Sequence, residues 1–109
     1  MEELSQKSCV ALPAGTPALA PEQVTGLLAQ VPGWHLSPDG RKLVRRFEFK
    51  DFLAAMAFVN RLAEVAQAED HHPDFTVQYR FVEVSSWTHT VNGLAENDFI
   101  LAAKLDRLV

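Results

Sequence analysis

The chain has 109 residues, 48% of them hydrophobic and 22% charged, with a formal net charge of −4. Such a composition describes one small globular domain, which buries about two-thirds of the surface its unfolded chain would expose and has little area to spare for a deep private cavity. The single cysteine, Cys9, excludes an intramolecular disulfide and a multi-cysteine zinc site and suits a reducing, cytoplasmic setting. No stretch approaches the roughly 18 to 20 apolar residues that cross a bilayer, so no membrane partner is expected.

The chain starts Met1-Glu2-Glu3, with acid where a secretory signal carries base, and its apolar run from Cys9 to Leu12 is too short for the core of such a signal. Residues 1–20 are therefore expected to be a flexible leader, and residues 21–109 a single domain. Pro21 suits the first turn of a helix, where its missing N–H would be unpaired in any case. Val24, Leu27, Leu28 and Val31 follow at helical spacing until Pro32-Gly33 stops the run.

Trp34 to Ser37, the Pro38-Asp39-Gly40 turn and Arg41 to Phe49 then read as strand, turn and strand. Leu43, Arg45, Phe47 and Phe49 share one side of the second strand. Arg41, Lys42, Arg45 and Arg46 form a small basic cluster, most simply a solvated strand edge. Residues 1–50 hold six basic and five acidic side chains, whereas residues 51–109 hold four and nine, a balance that argues against direct nucleic-acid binding.

From Asp51 to Ala68 the period becomes 3.6, with Phe52, Ala55 or Met56, Val59, Leu62 or Ala63, and Ala66 in one stripe. Phe75 to Tyr79 and Phe81 to Thr88 read as two more strands, and Phe99, Ile100, Ala102, Ala103 and Leu105 mark a last helix. The order predicts an α+β domain: a four-stranded, mostly antiparallel sheet with helices packed on one face. There is no internal repeat and no low-complexity tract.

The chemistry concentrates in residues 69–98. Glu69-Asp70-His71-His72-Pro73-Asp74 follows the long helix and Thr88-His89-Thr90 follows the last strand, placing three of the four histidines there. Pro73 biases His72 toward an extended backbone, so both imidazoles of the pair belong to a connection, where binding groups commonly sit. From residue types alone, solvated histidines, a metal site of three imidazoles and a carboxylate, and general acid/base catalysis all remain open. The spacing matches no common metal motif.

Glu69-Asp70-His71-His72-Pro73-Asp74-Phe75, Tyr79, Trp87-Thr88-His89, Asn92-Gly93-Leu94 and Asp98-Phe99 together resemble the signature of the pterin-4a-carbinolamine dehydratases. The likeness extends upstream through Gly33-Trp34, Asp39-Gly40, Phe47-Glu48-Phe49 and Ala57-Phe58-Val59-Asn60, covering roughly Pro21 to Val109. The resemblance implies a hydro-lyase that removes water from 4a-hydroxytetrahydropterin, giving quinonoid dihydropterin and so recycling the cofactor of aromatic amino acid hydroxylases. It implies His71, His72, His89 and Asp98 as the catalytic set, with His71 and His89 moving protons, His72 holding the pterin and Asp98 fixing an imidazole.

Phe75 and Trp87 are expected to border the pterin, although both, like Trp34, would serve equally as core. Tyr79 reads as a core or strand-pair aromatic and Asp74 as a solvated turn residue. No metal or organic cofactor is implied. The partners implied are the pterin and further copies of the chain, as homodimer or homotetramer. Two other roles go with the resemblance: a non-catalytic dimerisation module acting as transcription coactivator, and pterin-related work in molybdopterin metabolism. The sequence departs from the family pattern at Gln67 and Thr90, where acidic residues are common, at Ala95, where a helix-capping hydroxyl is common, and at Arg80 in the last strand-pair turn.

Overall fold

Alternation and helical period resolve into α1 (Pro21–Leu28), β1 (His35–Leu36), β2 (Leu43–Glu48), α2 (Phe52–Glu69), β3 (Asp74–Gln78), β4 (Phe81–Ser86) and α3 (Glu96–Asp106) in the computed structural model, which describes residues 3–109. The strands form one open sheet in the order β1-β2-β4-β3, every neighbouring pair antiparallel, so the domain is α+β as expected. No helix among the described residues is long and apolar enough to cross a membrane.

Register fixes which side chains face the helices. Phe47 lies opposite Val82, Arg45 opposite Val84 and Leu43 opposite Ser86, so these pairs share one face, and all but Arg45 are buried. Arg45 is on that face because it has a partner there: its Nη1 lies 2.6 Å from Asp106 Oδ1, which also accepts the Trp34 indole N–H at 2.8 Å. The basic cluster is thus partly absorbed into packing, with the Arg46 guanidinium over the Phe81 ring and the Lys42 ammonium over Trp87.

Helix α2 starts where the Asp51 carboxylate accepts the Ala54 N–H at 2.8 Å. Its buried stripe is Ala55, Phe58, Val59, Leu62 and Ala66. The expected stripe placed Phe52 inside and passed over Phe58; Phe52 is half exposed at the helix start, whereas Phe58 is fully buried against Phe47, with ring centroids 4.6 Å apart. Tyr79 also differs from expectation. It occupies the two-residue turn between the paired Gln78 and Phe81 with φ of 56°, which leaves its ring 66% exposed.

The expected flexible leader is, over its described residues 3–20, laid against the domain; Met1 and Glu2 lie outside the described residues. Leu4 is buried in a 3-10 turn packed on α3, Lys104 Nζ donates to the Ser5 carbonyl at 2.9 Å, and the Leu19 N–H donates to the Leu94 carbonyl at 2.9 Å. The reason is in α3 itself. Residues 97–102 are all buried, more than one helix face can supply, so α3 needs cover from the N-terminal segment as well as from α2 and β4.

Cys9 lies in that cover. Burial, reinforced by the negative charge of Glu69 and a hydrogen bond to it, pushes its thiol up from 9.0 to about 12. Folding therefore disfavours the thiolate, and the associated stability is intact below pH 9.0 and is lost as pH rises toward about 12. Thermal melts at stepped pH should show the wild type losing more stability across that alkaline window than a Cys9→Ala variant; parallel losses would contradict the buried thiol. In urea unfolding, Phe58→Ala should cost about 3 to 5 kcal/mol, the usual range for emptying a packed aromatic site. Leu53→Ala, at an exposed position on the same helix, should change stability by no more than about 0.5 kcal/mol.

Candidate active site

The end of α2 sets the first two histidines. Asp70 adopts the left-handed conformation with φ of 50°, its N–H donates to the Gln67 carbonyl and the His71 N–H reaches back to the Ala66 carbonyl at 3.1 Å. This is a Schellman ending built on an aspartate in place of the usual glycine. It turns the chain sharply before His71, and Pro73 keeps the following residues extended into β3.

His71 folds back over the domain. Its Nε2 lies 2.7 Å from Asp98 Oδ1, and its side chain is only 11% exposed. Asp98 is fully buried and receives three further donors: the Ser86 hydroxyl at 2.6 Å on Oδ1, the Thr88 hydroxyl at 2.8 Å on Oδ2, and the Ala95 N–H at 3.0 Å on Oδ2. The last of these caps α3, because Ala95 brings no side-chain acceptor to the helix start; the carboxylate three residues on reaches back to its N–H.

A carboxylate is acceptor only, so His71 Nε2 carries the hydrogen of its bond to Asp98, and in the neutral ring Nδ1 keeps a lone pair. His72 is exposed on the connection, with Nε2 3.0 Å from Gln67 Oε1. Gln67 thus meets an imidazole without bringing a charge. His89 opens the short 3-10 turn after β4 and lies against Trp87, ring centroids 3.8 Å apart at an interplanar angle of 35°. Lys42 Nζ also lies over the Trp87 ring, 5.5 Å from its centre.

One open cleft of about 470 Å³ gathers these groups: His71, His72, Trp87, Thr88 and His89 line it together with Glu69, Asp70, Thr90, Asn97 and residues 9–12. His71, His72 and His89 all line it, and Trp87 borders it beside them. Asp98 does not line the cleft itself but accepts hydrogen bonds from two residues that do, His71 and Thr88. Phe75 is not among the lining residues. It sits on β3 opposite Val84, one step back into the sheet from Asp74, which pairs with Ser85 near the cleft end of β4. Among the described residues, no group of three or more His, Cys, Asp or Glu side chains is arranged to hold a metal ion.

Sequence reasoning missed Ser86, Asn97 and the part played by residues 9–12. Ser86 had a signal. Val82, Val84 and Ser86 alternate on the inner face of β4, and a hydroxyl in the last buried position of such a series implies a buried polar partner.

The protein-family model described as pterin 4 alpha carbinolamine dehydratase matches residues 17–108. Relatives named provisionally as pterin-4-alpha-carbinolamine dehydratases include one from Halorhodospira halophila, 50% identical over 105 residues that cover 96% of both chains. Another, from Rubrobacter xylanophilus, is 43% identical over 108 residues, 99% of this chain and 100% of that one. Among solved structures, the transcriptional coactivator/pterin dehydratase from Brucella melitensis superimposes with a TM-score of 0.81 at 32% identity, covering 84% of this chain and 97% of that one. A pterin dehydratase-like RuBisCO assembly factor of the alpha-carboxysome shares the fold alone, with a TM-score of 0.61 at 23% identity over 70% of this chain and 88% of that one. A likeness that runs nearly end to end, with the histidine motifs gathered in one cleft, places this chain in the pterin 4 alpha carbinolamine dehydratase family.

Proposed function

We propose that the chain is a hydro-lyase that converts 4a-hydroxytetrahydropterin to quinonoid dihydropterin and water, with His71 and His89 transferring protons. The observation that carries this reading is the convergence of three imidazoles on one open cleft, with one of them fixed by a buried carboxylate. Hydroxide is a poor leaving group, so the C4a oxygen takes a proton as the C4a–O bond breaks, and the N5–H proton is lost as the C4a=N5 bond forms. One group must donate and another accept, and imidazole does both near neutral pH.

His71 is suited to proton transfer because its commitment to Asp98 leaves Nδ1 as the nitrogen available to substrate. The positive charge it gains on accepting a proton is stabilised by the carboxylate. His89 forms no hydrogen bond to another described residue through its ring, so both nitrogens are free for a ligand, while the Trp87 face limits how the ring tilts. His72, more exposed and held by Gln67, serves to hold the pterin. Asp98 is a positioning residue, acting through His71. The same reading places the enzyme in the cytoplasm as a homodimer or homotetramer, which sedimentation at several concentrations would resolve. The Brucella melitensis protein is named a transcriptional coactivator as well as a pterin dehydratase; the imidazole cleft favours the enzymatic reading here.

Stopped-flow absorbance with chemically prepared 4a-hydroxytetrahydropterin tests it. The wild type should speed loss of that species, and His71→Ala and His89→Ala should each lower kcat by about 10² to 10⁴, the range typical of a lost general acid or base. Equal rates with and without protein would overturn the assignment. Asp98→Asn preserves shape while offering an amide to a pocket of four donors, so it should lower kcat by at least about tenfold with little change in KM.

A further inference from the structure

Residues 9–12 lie outside the sequence motifs, yet they line the same cleft as His71 and His89. The fastening of this strap is dense for so short a segment. Val10 N–H donates to Asn97 Oδ1 at 3.0 Å, Asn97 Nδ2 donates to the Val10 carbonyl at 2.7 Å, and Cys9 N–H donates to Glu69 Oε1 at 2.8 Å. Asn97 is itself buried and directly precedes Asp98, so one turn of α3 holds both the strap and, through Asp98, His71.

Cys9 and Leu12 are half-buried, but the middle of the strap gains little burial from being held this way. Val10 is 61% exposed and Ala11 is exposed too, so hydrogen bonds from two other parts of the chain fix an apolar surface in the open at the rim of a cleft. Apolar surface held rigid and uncovered is what a flat ring system needs to lie against, and ordering it in advance lowers the cost of binding. Its chemistry separates it from the histidines. Val10, Ala11 and Leu12 carry no group that can move a proton, and the Cys9 thiol stays neutral beside Glu69.

We infer that residues 9–12 form a substrate-contacting wall of the cleft, fastened by Asn97 as a positioning residue, and that this wall governs affinity for the pterin and leaves its dehydration untouched. The inference takes its ligand from the dehydratase reading above. A wall that contacts the ring equally in the ground and transition states acts on KM and spares kcat, the reverse of what loss of His71 does.

Two variants test it in the stopped-flow assay. Val10→Asp changes an exposed side chain, so it leaves the fold intact while placing a charge in the wall; Asn97→Ala releases the strap, with circular dichroism and melting temperature as the check on folding. Each should raise KM by about tenfold and leave kcat within about twofold of wild type. An unchanged KM in both, or a loss confined to kcat, would overturn the inference while leaving the dehydratase assignment standing. If the wild type binds tetrahydrobiopterin in calorimetric titration but shows no dehydration, the assignment falls and the strap is judged by that titration. Weaker binding in both variants supports the wall, and unaltered binding refutes it. No binding by the wild type refutes both.

Discussion

A carboxylate with no exposure to solvent sits at the junction of three segments, and the site depends on how it is satisfied. Burying a charged carboxyl costs several kcal/mol unless hydrogen bonds replace its lost water. Asp98 finds four donors: one from the connection after α2, one from the last residue of β4, one from Thr88 just beyond it and one from the start of its own helix. A shift of any one of these segments removes at least one donor from the buried carboxylate, so the cost of burial becomes a geometric constraint. Helix start, strand end and imidazole orientation are consequences of one side chain. The absent cap hydroxyl at Ala95 is offset by the same carboxylate, which joins the stability of α3 to the arrangement of the site.

The hydrophobic core provides the rigid frame to which that junction is tied. Phe47, Phe49 and Phe58 form a contiguous ring cluster under the sheet, with Trp34 edge-on to Phe47 at 5.9 Å. Because α2 is anchored through Phe58 and Leu62 in its middle, its C-terminal end is placed accurately with respect to β4. The left-handed Asp70 turns the chain at that end. A non-glycine residue in this conformation carries a backbone cost, and here the reversal it produces brings His71 back over Asp98.

Strong local periodicity made the fold legible in the sequence. The long helix, the hairpin around Gly40 and the alternating run of β4 each rest on a pattern within one segment, and each was found within a few residues. Phe52 and Phe58 were misjudged for a physical reason: helical spacing defines a stripe only to within its neighbours, and the partner surface decides which edge of it is buried. Tyr79 was misread because aromatic residues favour strands, while the demands of a two-residue turn prevailed. Of the site, the histidines were legible by type and motif, whereas Ser86 and Asn97 contribute through partners 12 and 87 residues away in sequence. Chain proximity puts Phe75 near the histidines, whereas its pairing with Val84 sets it one step back into the sheet from the cleft end of β4.

The N-terminal segment shows what a local reading misses in a chain this short. An acidic start and an apolar run too short for a signal core read as a leader, yet the last helix presents more apolar surface than the sheet and α2 can cover. In a larger domain another helix would complete the enclosure; in this one the nearest spare chain is the N-terminal segment. Once Leu4 and Leu19 pack against the core, the residues between them must cross the surface beside α3, and that crossing passes the cleft. A small domain has little volume for a deep pocket. It gains a wall by laying part of its own chain beside an open sheet end, so the segment that closes the core also shapes the cleft.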